Sequence, residues 1–277
     1  MPPLVSAEWL EQQLQNGAVQ IVDGSWYLPA MNRDPVEEYA KGHIPGAIFV
    51  DLDAVSDQHS PLPHTMPDGQ MLAAAMAGLG IDLARPIVVY DGAGLFSAPR
   101  IRWMLITIGA ENVAVLDGGL PAWTSAGLSL KSGAPEATAA PVRSAALAPE
   151  RLVGFDEMLR IVQNGSAQVA DARPAGRFDG TVPEPRAGMR SGHMPGATST
   201  PLDQLLDNGF MKDPEELRHI FGTAGLDLDR PVVTSCGSGV TAAVVLLALE
   251  ILGKTDGRLY DGSWSEWGGR EDTPVVT

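Results

Sequence analysis

The chain contains a single cysteine, Cys236, and its neighbours are those that make a thiol reactive. Residues 231–235, Pro-Val-Val-Thr-Ser, read as a buried strand, and an apolar helix pattern covers 240–252. Between them runs Cys236-Gly237-Ser238-Gly239-Val240-Thr241. The cysteine therefore opens a tight loop at the carboxyl end of a strand and the N-terminus of a helix. Loop amides and the helix dipole both favour an anion there, and the thiolate is the nucleophilic form of cysteine. A lone cysteine is more often an inert core residue; the loop position argues for the reactive reading. Gly237, Gly239 and Val240 supply loop amides, and Thr241 caps the helix or lines the loop. Ser238 is an ordinary turn residue, or a hydroxyl that relays a proton or bonds a reacting carbonyl.

A second cluster lies upstream. Arg173, Arg177, Arg186 and Arg190 share one Pro/Gly-rich stretch, in a chain with 19 basic residues against 34 acidic ones. Guanidinium groups suit a carboxylate because two parallel N–H donors match its two oxygens. The plain alternative is a solvated loop whose arginines pair with Asp179 and Glu184.

The elements that must carry these residues repeat. Gly-His-Ile-Pro-Gly-Ala at 42–47 recurs as Gly-His-Met-Pro-Gly-Ala at 192–197, and the run from Arg85 to Gly94 recurs from Arg230 to Gly239. Leu-Asp-Gly-Gly-Leu-Pro-Ala-Trp from Leu116 returns loosely from Tyr260, and Ile21 onward is echoed from Val169. Four matches in one order at nearly constant offset indicate a duplicated domain rather than a short-unit solenoid. An Ala/Pro/Ser-rich stretch at 127–150 reads as a connector, giving domains at 1–126 and 151–277. Each copy alternates strand and helix signals: strands at 18–22, 87–90 and 113–116, then 167–170, 232–235 and 258–260, with helices at 98–108 and 240–252. That predicts an α/β fold, two tandem domains each with a parallel sheet flanked by helices on both faces, and ligands at the carboxyl ends of strands. Position 236 aligns with Asp91, so only the second copy carries a thiol. His43 and His193 recur in both copies, which argues for a structural turn role, and Trp264 and Trp267 read as core or pocket wall.

The paired Gly-His-x-Pro-Gly-Ala segments, the closing Asp-Gly-Ser-Trp-Ser-Glu-Trp and the cysteine loop resemble the tandem-domain rhodaneses over almost the whole chain. The Cys-Gly-Ser-Gly-Val-Thr loop is similar to that of the 3-mercaptopyruvate sulfurtransferases. Thiosulfate-using members typically carry a basic loop of the form Cys-Arg-Lys-Gly-Val-Thr. The resemblance implies a sulfurtransferase that takes sulfur from 3-mercaptopyruvate through a Cys236 persulfide to a thiol such as thioredoxin, or to cyanide, and releases pyruvate. It implies that Arg177 and Arg186 grip the substrate carboxylate and carbonyl. It also implies that Asp53 and His64, from the first domain, join Cys236 and Ser238 in the active site. Taken alone, Asp53 reads as a surface or capping carboxylate and His64 as a loop histidine.

Composition bounds the alternatives. A net charge of −15 disfavours nucleic acid and anionic membranes as partners. The N-terminal stretch lacks the basic and apolar regions of a signal peptide, no apolar run is long enough to span a bilayer, and one cysteine makes no intrachain disulfide, so a cytoplasmic protein is expected. Two domains packed together make a monomer plausible. The histidine spacing suggests no metal site, a single cysteine excludes a thiolate zinc cluster, and no nucleotide-binding glycine motif is present, so no cofactor is expected. A thiosulfate:cyanide sulfurtransferase is the nearest competitor. A cysteine phosphatase would need arginine where Ala242 stands, and a non-catalytic rhodanese-like module would not need the thiol.

Overall fold

The computed structural model describes residues 1–134 and 138–277. It divides into two compact units. The first comprises Met1–Gln58, Met66–Ala148 and Asn208–Met211; the second comprises His59–Thr65, Pro149–Asp207 and Lys212–Thr277.

The first unit is built on a five-stranded sheet. Its strands lie in the order Leu4–Val5, Val113–Leu116, Ile87–Tyr90, Gln20–Asp23 and Ala47–Phe49. All four pairings are parallel, with Val89 opposite Val22 and Tyr90 opposite Asp23. The three inner strands are buried along their whole length, as expected of a parallel sheet covered on both faces. Helix Ala98–Thr107 follows strand Ile87–Tyr90 and is buried at nine of its ten positions. Leu10, Ile21, Tyr39, Ile44, Val88, Tyr90, Leu116 and Trp123 form a contiguous core. The first helix, Ala7–Gln15, is capped by the Ser6 hydroxyl, which accepts the Trp9 amide at 3.2 Å.

The second unit repeats this topology. Its five-stranded sheet runs Leu152–Val153, Arg258–Tyr260, Val232–Ser235, Gln168–Asp171, Ala197–Ser199, again all parallel. Helix Ala242–Ile251 follows the central strand. The core gathers Val153, Met158, Ile161, Val169, Met194, Val233, Tyr260, Trp264 and Trp267.

The predicted central strands and following helices are all present, with boundaries shifted by one or two residues. Six short strands carry no sequence signal: Leu4–Val5, Ala47–Phe49, Leu152–Val153, Ala197–Ser199, Leu206–Asp207 and Phe210–Met211. At two or three residues each, they are too short to express a period of two.

The described part of the 127–150 stretch runs against the first unit. The Ala140 amide donates to the Ala77 carbonyl, the Ala148 amide to Thr107, and Arg143 pairs with Asp82 at 2.7 Å. Residues 135–137 of the expected 127–150 connector lie outside the described residues. Lys131 exchanges two backbone hydrogen bonds with His43.

Candidate active site

In the second unit, strand Val232–Ser235 ends at Cys236, which is buried, and the chain turns through Gly237, Ser238 and Gly239 before the helix starts at Ala242. Gly239 has φ +79°, a backbone setting that favours glycine. Thr241 occupies the N-cap position, but its side chain makes no capping hydrogen bond. Its backbone is already helical, whereas a capping hydroxyl usually sits on an extended residue. Thr241 therefore lines the loop and does not cap the helix.

A second short helix, Ser263–Trp267, clamps the loop from one side. The Trp264 amide donates to the Cys236 carbonyl at 2.9 Å. The amide and hydroxyl of Ser265 both donate to the Gly237 carbonyl, at 2.9 and 2.7 Å. Ser263 accepts the Cys236 amide at 3.3 Å and donates to the Tyr260 carbonyl at 2.9 Å. It does so at φ +49°, a left-handed setting rare for serine; the aligned residue of the first unit is Gly119, at φ +55°. Keeping a hydroxyl where glycine would sit without strain marks a position whose side chain is used. Ser263 and Ser265 were not singled out from the sequence, although the repeat of the closing segment pointed to this turn.

The four arginines separate into two pairs. Arg173 is 1% exposed; it bonds both oxygens of Asp171 and one oxygen of Glu184, and lies 4.0 Å over the Trp264 ring. Arg190 donates to the carbonyls of Trp267, Gly268 and Thr273, tying the C-terminal turn down. These two are framework. Arg177 and Arg186 instead reach the cysteine loop. A methyl group built on Gly237 would lie 3.2 Å from Arg177 Nη2 and 3.9 Å from Arg186 Nη1. Arg186 Nη1 also lies 3.4 Å from Ser265 Oγ. Arg177 pairs with Glu184 and is partly exposed. Asp179 bonds the Thr181 amide and hydroxyl.

His64 belongs to the second unit although it lies early in the chain. It is buried, at φ +61°, and its Nδ1 is 2.8 Å from Ser238 Oγ. Cys236, Ser238, His64, Arg177 and Arg186 are thus gathered in one unit, with Gly237, Gly239, Val240 and Thr241 forming the loop among them. Asp53 lies in the first unit, in helix Leu52–Val55, where it is exposed and accepts the Trp26 indole N–H at 3.1 Å.

The first unit shows what the same loop does without a thiol. Asp91 stands at the aligned position and is fully buried. One carboxylate oxygen accepts the Ala93 amide at 2.9 Å; the other accepts Phe96, Ser97 and Ala98 at 2.8 to 2.9 Å. One loop amide and three at the start of helix Ala98–Thr107 converge on one carboxylate, which displays the loop's capacity for negative charge. An arginine–glutamate pair recurs here as well. Arg33 bonds Glu38, stacks 3.8 Å over Tyr27 and donates to the Gly92 carbonyl at 3.1 Å. The Tyr27 hydroxyl crowds Gly92, filling the space over the loop.

The recurrent histidines are structural. His43 Nδ1 donates to the Tyr39 carbonyl and its ring stacks on Tyr39; His193 does the same with Phe178. Trp264 and Trp267 are buried, with indole N–H groups bonded to Arg190 and Pro274 carbonyls.

Two stretches of the chain, 6–126 and 155–270, match the rhodanese-like domain model. The chain belongs to the rhodanese family. The 3-mercaptopyruvate sulfurtransferase of Escherichia coli K12 is 46% identical to this rhodanese, over 98% of this chain and 96% of that protein. Thiosulfate/3-mercaptopyruvate sulfurtransferase 1 of Arabidopsis thaliana, a mitochondrial protein, is 40% identical over 99% of this chain and 78% of that one. Among solved structures, SseA from Escherichia coli, a 3-mercaptopyruvate sulfotransferase, superposes with a TM-score of 0.88 at 43% identity, covering 95% of this chain and 99% of that one. Among the described residues of this rhodanese, no helix is long and apolar enough to cross a membrane.

Proposed function

We propose that this rhodanese moves sulfur from 3-mercaptopyruvate, through a persulfide on Cys236, to an acceptor thiol. The observation that carries this reading is the placement of Arg177 and Arg186 over Gly237. Two guanidinium groups face an otherwise neutral loop, beside the thiol, as an α-keto acid with one carboxylate requires.

The chemistry is nucleophilic displacement at sulfur. The Cys236 thiolate attacks the thiol sulfur of 3-mercaptopyruvate. An S–S bond forms as the C–S bond breaks, and the C–S electron pair passes to carbon, leaving the enolate of pyruvate. The enolate takes a proton and departs, and the outer sulfur remains on Cys236. Arg177 and Arg186 hold the carboxylate and carbonyl. The Ser238 hydroxyl, poised by His64, hydrogen-bonds the carbonyl oxygen as charge builds on it. Amides of Gly237, Gly239, Val240 and Thr241 face the sulfur anion. Asp53 is assigned to the same reaction as an acid–base partner on the resemblance alone. A thiolate acceptor, with reduced thioredoxin the physiological choice we favour, then attacks the outer sulfur and restores the Cys236 thiolate. We further read the chain as a monomer of the cytoplasm, with domains at 1–126 and 151–277 joined by 127–150, needing no metal or organic cofactor.

Incubation with 3-mercaptopyruvate and no acceptor should add one sulfur to Cys236 by mass spectrometry, with one pyruvate released; an unmodified thiol and no pyruvate refute the reading. Thiosulfate is the competing donor, since the Arabidopsis relative is named for both. The kcat/KM values for the two donors, with thioredoxin or cyanide as acceptor, decide between them.

A further inference from the structure

Glu184 is buried, with a side chain 3% exposed, and lies between two guanidinium groups. Its Oε1 accepts from Arg173 Nη1 at 2.7 Å and its Oε2 accepts from Arg177 Nε at 3.1 Å and from Arg177 Nη2. Arg173 is held independently by Asp171, so its place in the framework does not depend on Glu184 alone. Arg177 is different: Glu184 is its ion-pair partner, and its Nη2 is the atom over Gly237. A buried carboxylate is costly unless it is paired. The carboxylate therefore does two things to the pocket: it aims Arg177, and it lowers the positive potential there by one charge.

We propose that Glu184 is a positioning residue that sets donor preference, tuning the arginine pocket to a monoanionic α-keto acid and against the thiosulfate dianion. This rests on the sulfurtransferase reading above. A change of potential acts on a ligand in proportion to its charge. Removing the negative charge of Glu184 therefore favours thiosulfate twice as strongly as 3-mercaptopyruvate. The same change frees Arg177 to rotate, which weakens its hold on either oxyanion. The loss of aim acts on both donors, so the donor ratio reports the charge. The first unit offers the contrast: its Arg33–Glu38 pair sits beside the Tyr27 phenol, which fills the space over Gly92.

The test compares wild type, Glu184→Gln and Glu184→Asp, with kcat/KM measured for both donors at fixed ionic strength. In Glu184→Gln the ratio of thiosulfate to 3-mercaptopyruvate efficiency should rise about tenfold, for one added charge a few ångströms from the substrate. In Glu184→Asp, which keeps the charge and loosens the pairing, kcat/KM for 3-mercaptopyruvate should fall while the ratio stays within about twofold of wild type, screening of the retained charge being unchanged. An equal loss for both donors in the glutamine variant overturns the proposal, because a purely structural residue would act that way. If the glutamine variant does not fold, the aspartate variant carries the test, and a ratio shifted toward thiosulfate overturns it. Failure of wild type to form a persulfide from 3-mercaptopyruvate would sink the function itself. An unmoved ratio in the folded glutamine variant of an active enzyme sinks only the role of Glu184.

Discussion

His64 Nδ1 and Ser238 Oγ lie 2.8 Å apart, joining residues 174 positions apart in the chain within the unit that holds the thiol. The contact fixes the hydroxyl's rotamer beside Cys236. Ser238→Ala should therefore slow the pre-steady-state release of pyruvate by about 10–100-fold, the range for removing one hydrogen-bonding group from a developing oxyanion or one proton-transfer partner. His64→Ala should produce a smaller loss in the same step, with KM little changed. Stopped-flow measurement of the pyruvate burst checks both.

Arg177→Ala and Arg186→Ala should each lower kcat/KM for 3-mercaptopyruvate by about 10–100-fold, mostly through KM, because each removes a charge-assisted contact to the bound carboxylate or carbonyl. Arg190→Ala is the control. It should lower Tm while leaving KM near wild type, since its partners are backbone carbonyls of the C-terminal turn. Steady-state kinetics and calorimetry on the same preparations separate the two behaviours.

The duplication, both sheets and the thiol loop were legible because each rests on a long local signal: a repeated hexapeptide, a continuous β-branched run, a cysteine between strand and helix. The division of labour among the arginines was not. Arg173 and Arg177 are four positions apart in the same Pro/Gly-rich stretch, and only the fold shows that one is locked by Asp171 while the other turns to Gly237. The place of His64 likewise depends on tertiary structure, as its surrounding residues are an undistinguished polar turn. Glu184 could be named as an arginine partner from spacing, but that it serves two arginines at once could not.

Asp91→Ala should cost about 2–4 kcal/mol of stability, since four amides, two of them buried, lose their acceptor and each stranded buried donor carries a penalty of about 1–3 kcal/mol before relaxation and water entry. Persulfide yield on Cys236 in the folded fraction should equal that of wild type. Urea denaturation paired with mass spectrometry reads the two quantities separately.

The Glu38 carboxyl is held below its ordinary value of 4.5 by the Arg33 guanidinium, with help from the Tyr27 hydroxyl and against the effect of burial. A carboxyl lowered in the folded state contributes stability that is fully present above its unfolded pKa and is lost as pH falls through the folded value. Glu38→Gln should therefore be less stable than wild type by about 1 kcal/mol at pH 7, allowing for solvent screening of a partly exposed pair. The gap should narrow as the pH drops below 4.5. Thermal melts of both proteins between pH 3 and pH 8, about the span over which a carboxyl titrates, provide the check.

Asp91 also divides the two halves by how they respond to turnover. The first loop carries its own negative charge on a covalent tether, so its amides are satisfied at every stage of the catalytic cycle. The Cys236 loop takes its charge from whatever sulfur the thiol bears at that moment. Loading and unloading sulfur thus acts as ligand linkage on one half alone. Amide exchange in the helix after Cys236 should follow the sulfur state of the enzyme, while the helix after Asp91 keeps a constant rate and serves as an internal clock against which the other is read.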